Sequence, residues 1–165
     1  MNTLGSHPGA ILFRFSIMVI LILILIVVFF RYLDDSRKGF EKASMLRTKT
    51  VVDSSLAVVF ARAAMNQQLG ELSLAEGGNP FVYMQRYDIS HPDYLGELGR
   101  DLTNEDLPGW YYLSHRGMVV YKARYLDTDR YYQVVLNYED LNQSGIFESR
   151  IDRFRGLQFI KVAEI

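Results

Sequence analysis

From Ile17 to Phe30 the chain carries no polar side chain, and from Gly9 to Phe30 its one charge is Arg14. A helix crossing about 30 Å of hydrocarbon needs about 20 apolar residues. Ala10 to Phe30 supplies them with Leu, Ile, Val, Met and Phe and no proline. The segment reads as one transmembrane helix, with Phe15, Ile22, Ile26 and Phe30 among its lipid-facing anchors. Arg14 lies one turn inside the start, where its long stem can snorkel to head groups. Phe29, Phe30, Arg31 and Tyr32 bring aromatic rings and a cation together at the other end, as expected where a helix leaves the bilayer. The rival reading is a cleaved secretory signal, but Phe29-Phe30-Arg31-Tyr32-Leu33-Asp34 offers no small-x-small cleavage site, so the anchor is expected to stay attached.

Setting aside these 30 of 165 residues leaves 135, enough for one domain. With no cysteine, the chain has no disulfide framework, thiolate zinc site, iron–sulfur ligand or cysteine nucleophile. A net charge of -1 argues against a dedicated nucleic-acid binder, which would concentrate basic residues on one face. Arg150, Arg153 and Arg155 with Asp152 form too small and mixed a patch to change that.

Between Arg31 and Leu69 there is no proline and one glycine, Gly39, which permits a bend. The apolar residues Met45, Val52, Leu56, Val59 and Ala63 recur at helical spacing, while Arg47, Thr50, Asp53, Ser54 and Arg62 lie mainly away from them. An amphipathic helix over 31–69 is predicted, about 58 Å long if unbroken, stopping near Gly70. Its stripe packs either on a sheet of the same chain or on a partner helix in a short coiled coil, although polar Asn66 falls at the next core position. Glu76-Gly77-Gly78-Asn79-Pro80 reads as a loop.

The sheet is expected later. Trp110 to Leu113, Met118 to Tyr125 and Arg130 to Tyr138 are rich in aromatic and β-branched residues and are separated by turn-like segments, so they read as an antiparallel meander. Val119, Tyr121, Ala123 and Tyr125 alternate with Val120, Lys122 and Arg124, and Tyr132, Val134, Leu136 and Tyr138 with Tyr131, Gln133, Val135 and Asn137. Leu157 to Val162 is a candidate final strand. The region from Phe81 to Ser114 reads as irregular, with a short helix around Tyr94 to Leu98. The fold class is thus α+β: a short tail over 1–9, a transmembrane helix over 10–30, an amphipathic helix over 31–69, and a loop-rich, sheet-forming region over 70–165 that makes one domain with that helix.

Signals for chemistry are sparse. Asp88, His91 and Asp93 are three potential metal ligands within six residues, yet they lack calcium-hand and zinc-helix spacing and Pro92 makes them read first as a turn. Asp101, Glu105 and Asp106 read as capping groups of a charged loop rather than a sheltered acid/base pair. His7 and His115 read as solvated. No serine sits in a Gly-x-Ser-x-Gly elbow, and no phosphate or dinucleotide loop occurs. No enzyme, cofactor or metal is expected. The tyrosines of the meander suit core and cross-strand packing, and Tyr112, Tyr121 and Tyr132 are taken as a sheet surface open to protein contact.

A membrane helix that continues as an amphipathic helix and then meets a glycine-rich loop and a meander resembles the type IV pilin and pseudopilin plan. Pro108-Gly109-Trp110-Tyr111-Tyr112-Leu113 followed by Gly117-Met118-Val119-Val120-Tyr121-Lys122-Ala123-Arg124-Tyr125 is similar to a hairpin of small accessory proteins from mannose-sensitive haemagglutinin (MSHA) type pilus loci, in particular the MshF group of biogenesis proteins. Prepilins differ from this chain in carrying a basic leader, a Gly-Phe-like junction and a glutamate five residues into the mature chain. Here the best junction is Gly9-Ala10, Met1 to Pro8 holds no Lys or Arg, and the fifth position is Arg14.

The resemblance implies an uncleaved, non-enzymatic accessory protein of the bacterial inner membrane, with a periplasmic carboxy-terminal domain, that helps assemble or anchor a pilus or secretion pseudopilus. Its implied partners are membrane lipid and pilins, minor pilins or other assembly proteins, and no nucleic acid. The positive-inside count gives the opposite orientation, because Arg31, Arg37, Lys38, Lys42, Arg47 and Lys49 follow the span while Arg14 and the amino terminus precede it. A membrane-tethered sensor or small-ligand-binding domain is the alternative function.

Overall fold

A computed structural model describes residues 8–72, 75–86, 89, 91, 93–148 and 150–163. Two compact units divide the chain, Met1–Phe40 and Glu41–Ile165. Helix α1, Pro8–Met65, contributes to both and runs 58 residues without interruption at Gly39. It starts two residues earlier than the apolar pattern requires, because Pro8 suits the first helical turn, where its missing N–H costs nothing. In the first unit the side chains from Leu12 to Tyr32 are all exposed, Phe15, Ile22, Ile26 and Phe30 included. This helix is long and apolar enough to cross a membrane.

Helix α1 ends at Met65 rather than near Gly70. Gln67 adopts a left-handed conformation with φ of 58°, and the Gln68 N–H returns to the Ala63 carbonyl at 2.8 Å. That six-to-one bond is the C-terminal cap most often built on glycine. Two short helices follow, α2 Leu69–Leu72 and α3 Pro80–Gln85. The latter is capped by Asn79, whose Oδ1 accepts the Phe81 N–H at 3.1 Å.

Five strands form one sheet in sequence order: β1 Tyr94–Leu98, β2 Gly109–Leu113, β3 Met118–Lys122, β4 Arg130–Glu139 and β5 Arg153–Val162. From β2 to β5 neighbours are antiparallel, the expected meander. Tyr94–Leu98 is a strand, not the expected short helix, and it pairs parallel to β2. Gly96 has φ of 125°, outside any helical region, at a register shift in that pairing. Its first residue is also held from α3, where the Tyr94 ring stacks on Phe81 with centroids 4.2 Å apart. Strand β5 begins four residues before the expected Leu157, because β4 carries its ladder on to Glu139 past a bulge at Asn137/Tyr138.

The stripe Met45, Val52, Leu56, Val59 and Ala63 is buried in one cluster with Trp110, Val119, Tyr132, Val134 and Phe159. The helix therefore packs on the sheet of its own chain, and these residues are not available as a face for a partner. Val52 and Leu56 are wholly excluded from solvent. Burying such a side chain contributes about 1.5–3 kcal/mol. The other face of the sheet buries Tyr111, Leu113 and Val120 beneath Leu98, Leu102 and Tyr131, which matches the predicted alternation of Val119 and Tyr121 with Val120.

Candidate functional site

Glu41 is the first residue of the second unit and is 8% exposed. Its Oε1 accepts the Arg124 N–H at 2.6 Å and the Tyr121 hydroxyl at 3.1 Å. Its Oε2 accepts the N–H groups of Tyr125 at 2.6 Å and Leu126 at 2.8 Å. Burial pushes this carboxyl up, and the three main-chain donors with the Tyr121 hydroxyl outweigh it, leaving the group below its ordinary value. The same contact raises the Tyr121 phenol, through burial first and the Glu41 charge second. The strand β3 stops at Lys122 rather than the expected Tyr125: the Ala123 N–H turns to the Asp129 Oδ1 at 2.8 Å, and the next three backbone donors turn to Glu41 on α1 instead of to β4. Nothing in the sequence marks Glu41 among the charged residues that follow the apolar run.

A second tie joins α1 to the sheet, with the Asp53 Oδ1 accepting the Phe159 N–H at 3.0 Å. Asp53 also pairs with Lys49 at 2.5 Å, one helical turn earlier. The three tyrosines expected on an open sheet surface all turn toward the helix-facing core. Tyr132 is 2% exposed, with its ring centroid 5.4 Å from Trp110 and its hydroxyl directed to the Met45 sulfur at 3.7 Å. Tyr121 packs 5.0 Å from Trp110, and the Tyr112 hydroxyl donates to the Gly77 carbonyl at 2.7 Å. The alternation was read correctly, but the helix covers the face that carries these rings.

Asp88 lies outside the described residues, as do Pro92 and His7. The His91 Nδ1 accepts the Asp93 N–H at 3.3 Å, closing the turn, and its ring lies 6.0 Å from Phe81. Burial lowers the His91 pKa, with the Asp93 charge acting against it. Among the described residues no three His, Cys, Asp or Glu side chains stand together as a metal-holding group. His115 and Arg116 both pair with Asp101, at 2.9 and 2.8 Å. The neighbouring Ser114 hydroxyl donates to the Leu98 carbonyl instead of to His115. Asp106 grips Arg100 through both oxygens and accepts the Thr103 N–H at 2.7 Å. Its carboxyl is held well below the usual range, by the Arg100 hydrogen bond first. The acidic loop caps itself, as its composition implied.

The interior of the second unit is thus packed and internally satisfied: among the described residues no buried side-chain nitrogen or oxygen lacks a partner. The outward side of α1 differs. Opposite the buried stripe, Leu46, Val51, Val58 and Met65 are exposed, Met65 by 83%. Small residues lie between them, with Thr50, Ser54, Ala57, Ala61 and Ala64 all exposed. These five recur at steps of four, three, four and three, which keeps them in line on one helix face. Arg47 and Arg62 are the exposed charges on this side of the helix, fewer than a solvated helix face normally carries. The helical period places Thr50 and Ser54 away from the stripe, but which side of the helix stays uncovered follows from the sheet.

Neither a protein-family model nor a curated protein nor a solved structure matches the chain.

Proposed function

We propose that the chain is a membrane-anchored, non-enzymatic assembly factor that works through protein–protein contact, and that its contact surface is the outward side of α1 rather than the stripe or the tyrosines. The observation that carries this reading is the uncovered strip of apolar and small side chains from Leu46 to Met65, interrupted by Arg47 and Arg62, on a helix whose other side is used by the sheet. Small side chains allow another helix backbone to approach closely, and a partner anchored in the same bilayer would meet the strip at high effective concentration. The pilin-like arrangement of a long amino-terminal helix ahead of a meander supports a role in assembling or anchoring a type IV, MSHA-like pilus or a secretion pseudopilus. In that reading the protein sits in the bacterial inner membrane with its second unit in the periplasm, and its partners are pilins, minor pilins or other assembly proteins.

The test compares the two sides of one helix. Ala61→Asp places a charge on the outward strip, and Val59→Asp places one in the core. The first is expected to leave thermal unfolding of the full-length protein unchanged while abolishing recovery of crosslinked partners and surface pili in the native host. The second is expected to unfold the second unit. Normal pili and normal crosslinks with Ala61→Asp would refute the proposal.

A further inference from the structure

The outward side of α1 carries charge of one sign. Over residues 41–65 the chain holds two acids, Glu41 and Asp53, against four cations, Lys42, Arg47, Lys49 and Arg62. Both acids are taken up on the sheet side. Glu41 closes the clasp on residues 124–126, while Asp53 accepts the Phe159 N–H and pairs with Lys49. Lys42, Arg47 and Arg62 are exposed, and no acid of this stretch stands on their side to offset them.

Arg47 is the cation set within the uncovered face itself. Arg47, Thr50, Ser54, Ala57, Ala61 and Ala64 are all exposed and recur at steps of three, four, three, four and three, the period of a seam that faces a neighbouring helix. Val51, Val58 and Met65, also exposed, flank that seam at steps of seven. Met45, Val52 and Val59 repeat at seven on the buried side, so the helix presents one period to its own sheet and the same period outward. Among the described residues Arg47 forms no ion pair or side-chain hydrogen bond. A helix laid on this face removes water from the guanidinium, and a charge so covered needs an opposite charge that accepts its hydrogen bonds.

A second copy of the chain fails this requirement. Two copies anchored in one bilayer in the same orientation run parallel, and at a seam position of a parallel pair each residue meets its own counterpart. Arg47 would face Arg47, a like-charge contact that disfavours the pair.

We propose, on the assembly reading above, that the helix covering this face belongs to a different membrane-anchored protein and sets an Asp or Glu side chain against Arg47. A carboxylate meets the planar guanidinium with two parallel hydrogen bonds, a geometry that fixes the register of the two helices. Lys42 and Arg62 favour further acids along the same partner and speed its approach.

The experiment uses the full-length chain in its native host. In Arg47→Lys the charge is kept, and the introduced amine couples to a touching carboxylate when a carbodiimide takes up the water released. An amide bond between position 47 and an Asp or Glu of another membrane protein, located by mass spectrometry, is expected. A photoreactive phenylalanine analogue in place of Val58, beside the seam, should capture the same protein, and adding Arg47→Glu should lower that capture at least tenfold. Thermal unfolding of Arg47→Glu should match the wild type, because Arg47 is exposed and unpaired. An amide bond to a second copy, no amide bond at position 47, or undiminished capture with Arg47→Glu overturns the acidic partner and leaves the contact surface standing. Capture of no protein at position 58 overturns the surface, and this partner with it.

Discussion

Replacing Glu41 with glutamine isolates the contribution of its clasp while preserving shape. Glutamate receives four hydrogen bonds on two oxygens, with the N–H groups of Tyr125 and Leu126 sharing Oε2. Glutamine has one acceptor oxygen, so its NH2 group faces either the Tyr125 and Leu126 N–H groups, both of which then lose their partner, or the Arg124 N–H, which loses its partner, and the Tyr121 hydroxyl, which can turn to accept. A buried donor left unsatisfied costs about 1–3 kcal/mol, and hydrogen bonds to a charged group are worth more than neutral ones. Residues 124 and 125 are partly open to water, which favours the low end and a total of about 2–3 kcal/mol. That is a large share of the roughly 5–15 kcal/mol that stabilises a typical domain.

The assay is urea unfolding of the full-length protein in micelles, followed by fluorescence of Trp110, the chain's single tryptophan, which is 1% exposed. The pH dependence supplies an internal control. Because the folded-state carboxyl of Glu41 lies below its ordinary value of 4.5, its contribution is present in full above that value and is lost as pH falls through the folded-state pKa. Glutamine does not titrate, so the gap between wild type and Glu41→Gln should be widest at neutral pH and narrow in acid. A difference below about 0.5 kcal/mol at pH 7, the range of ordinary surface substitutions, or a gap that widens in acid, would refute the clasp as a stabilising contact.

Leu56→Ala, at a fully buried position of the stripe, should cost about 2–5 kcal/mol in the same assay. Tyr121→Phe removes one of four donors to Glu41 and should cost about 1 kcal/mol, less than Glu41→Gln. Because the chain lacks cysteine, Asn104→Cys at an exposed turn gives a single label site. Labelling by an impermeant maleimide in intact spheroplasts is expected if the second unit is periplasmic, whereas labelling only after lysis would uphold the positive-inside count. His91→Ala should leave pilus assembly intact, and loss of assembly in a stably folded variant would revive chemistry in that turn.

The apolar run, the stripe and three of the strands could be read from sequence because each is a periodic pattern with one physical cause. What could not be read depends on long-range partners. Tyr94–Leu98 becomes a strand through pairing with residues 110–113, which local composition does not encode. The end of α1 rests on Gln67, a residue type that carries no stop signal. Tyr132 has the composition of a surface aromatic, and only the position of the helix decides that its face is the inner one. At the candidate interface, the stripe was recognised by its period, but which side of the helix remains exposed follows from the sheet. Glu41 acquires its role from backbone donors more than 80 positions away, and no local rule would single it out.

The arrangement of the core also bears on how the protein is made. The stripe on α1 is synthesised early, whereas Leu157 and Phe159, which share its cluster, lie on the last strand. While the ribosome still holds β5, Val52, Leu56 and Val59 cannot be fully covered, and the Asp53 tie to Phe159 cannot form. The second unit therefore completes its folding only once β5 has emerged, carrying until then a bare apolar helix face that aggregation or a chaperone can capture. Stalling or truncation ahead of residue 153 would leave the nascent chain in that vulnerable state.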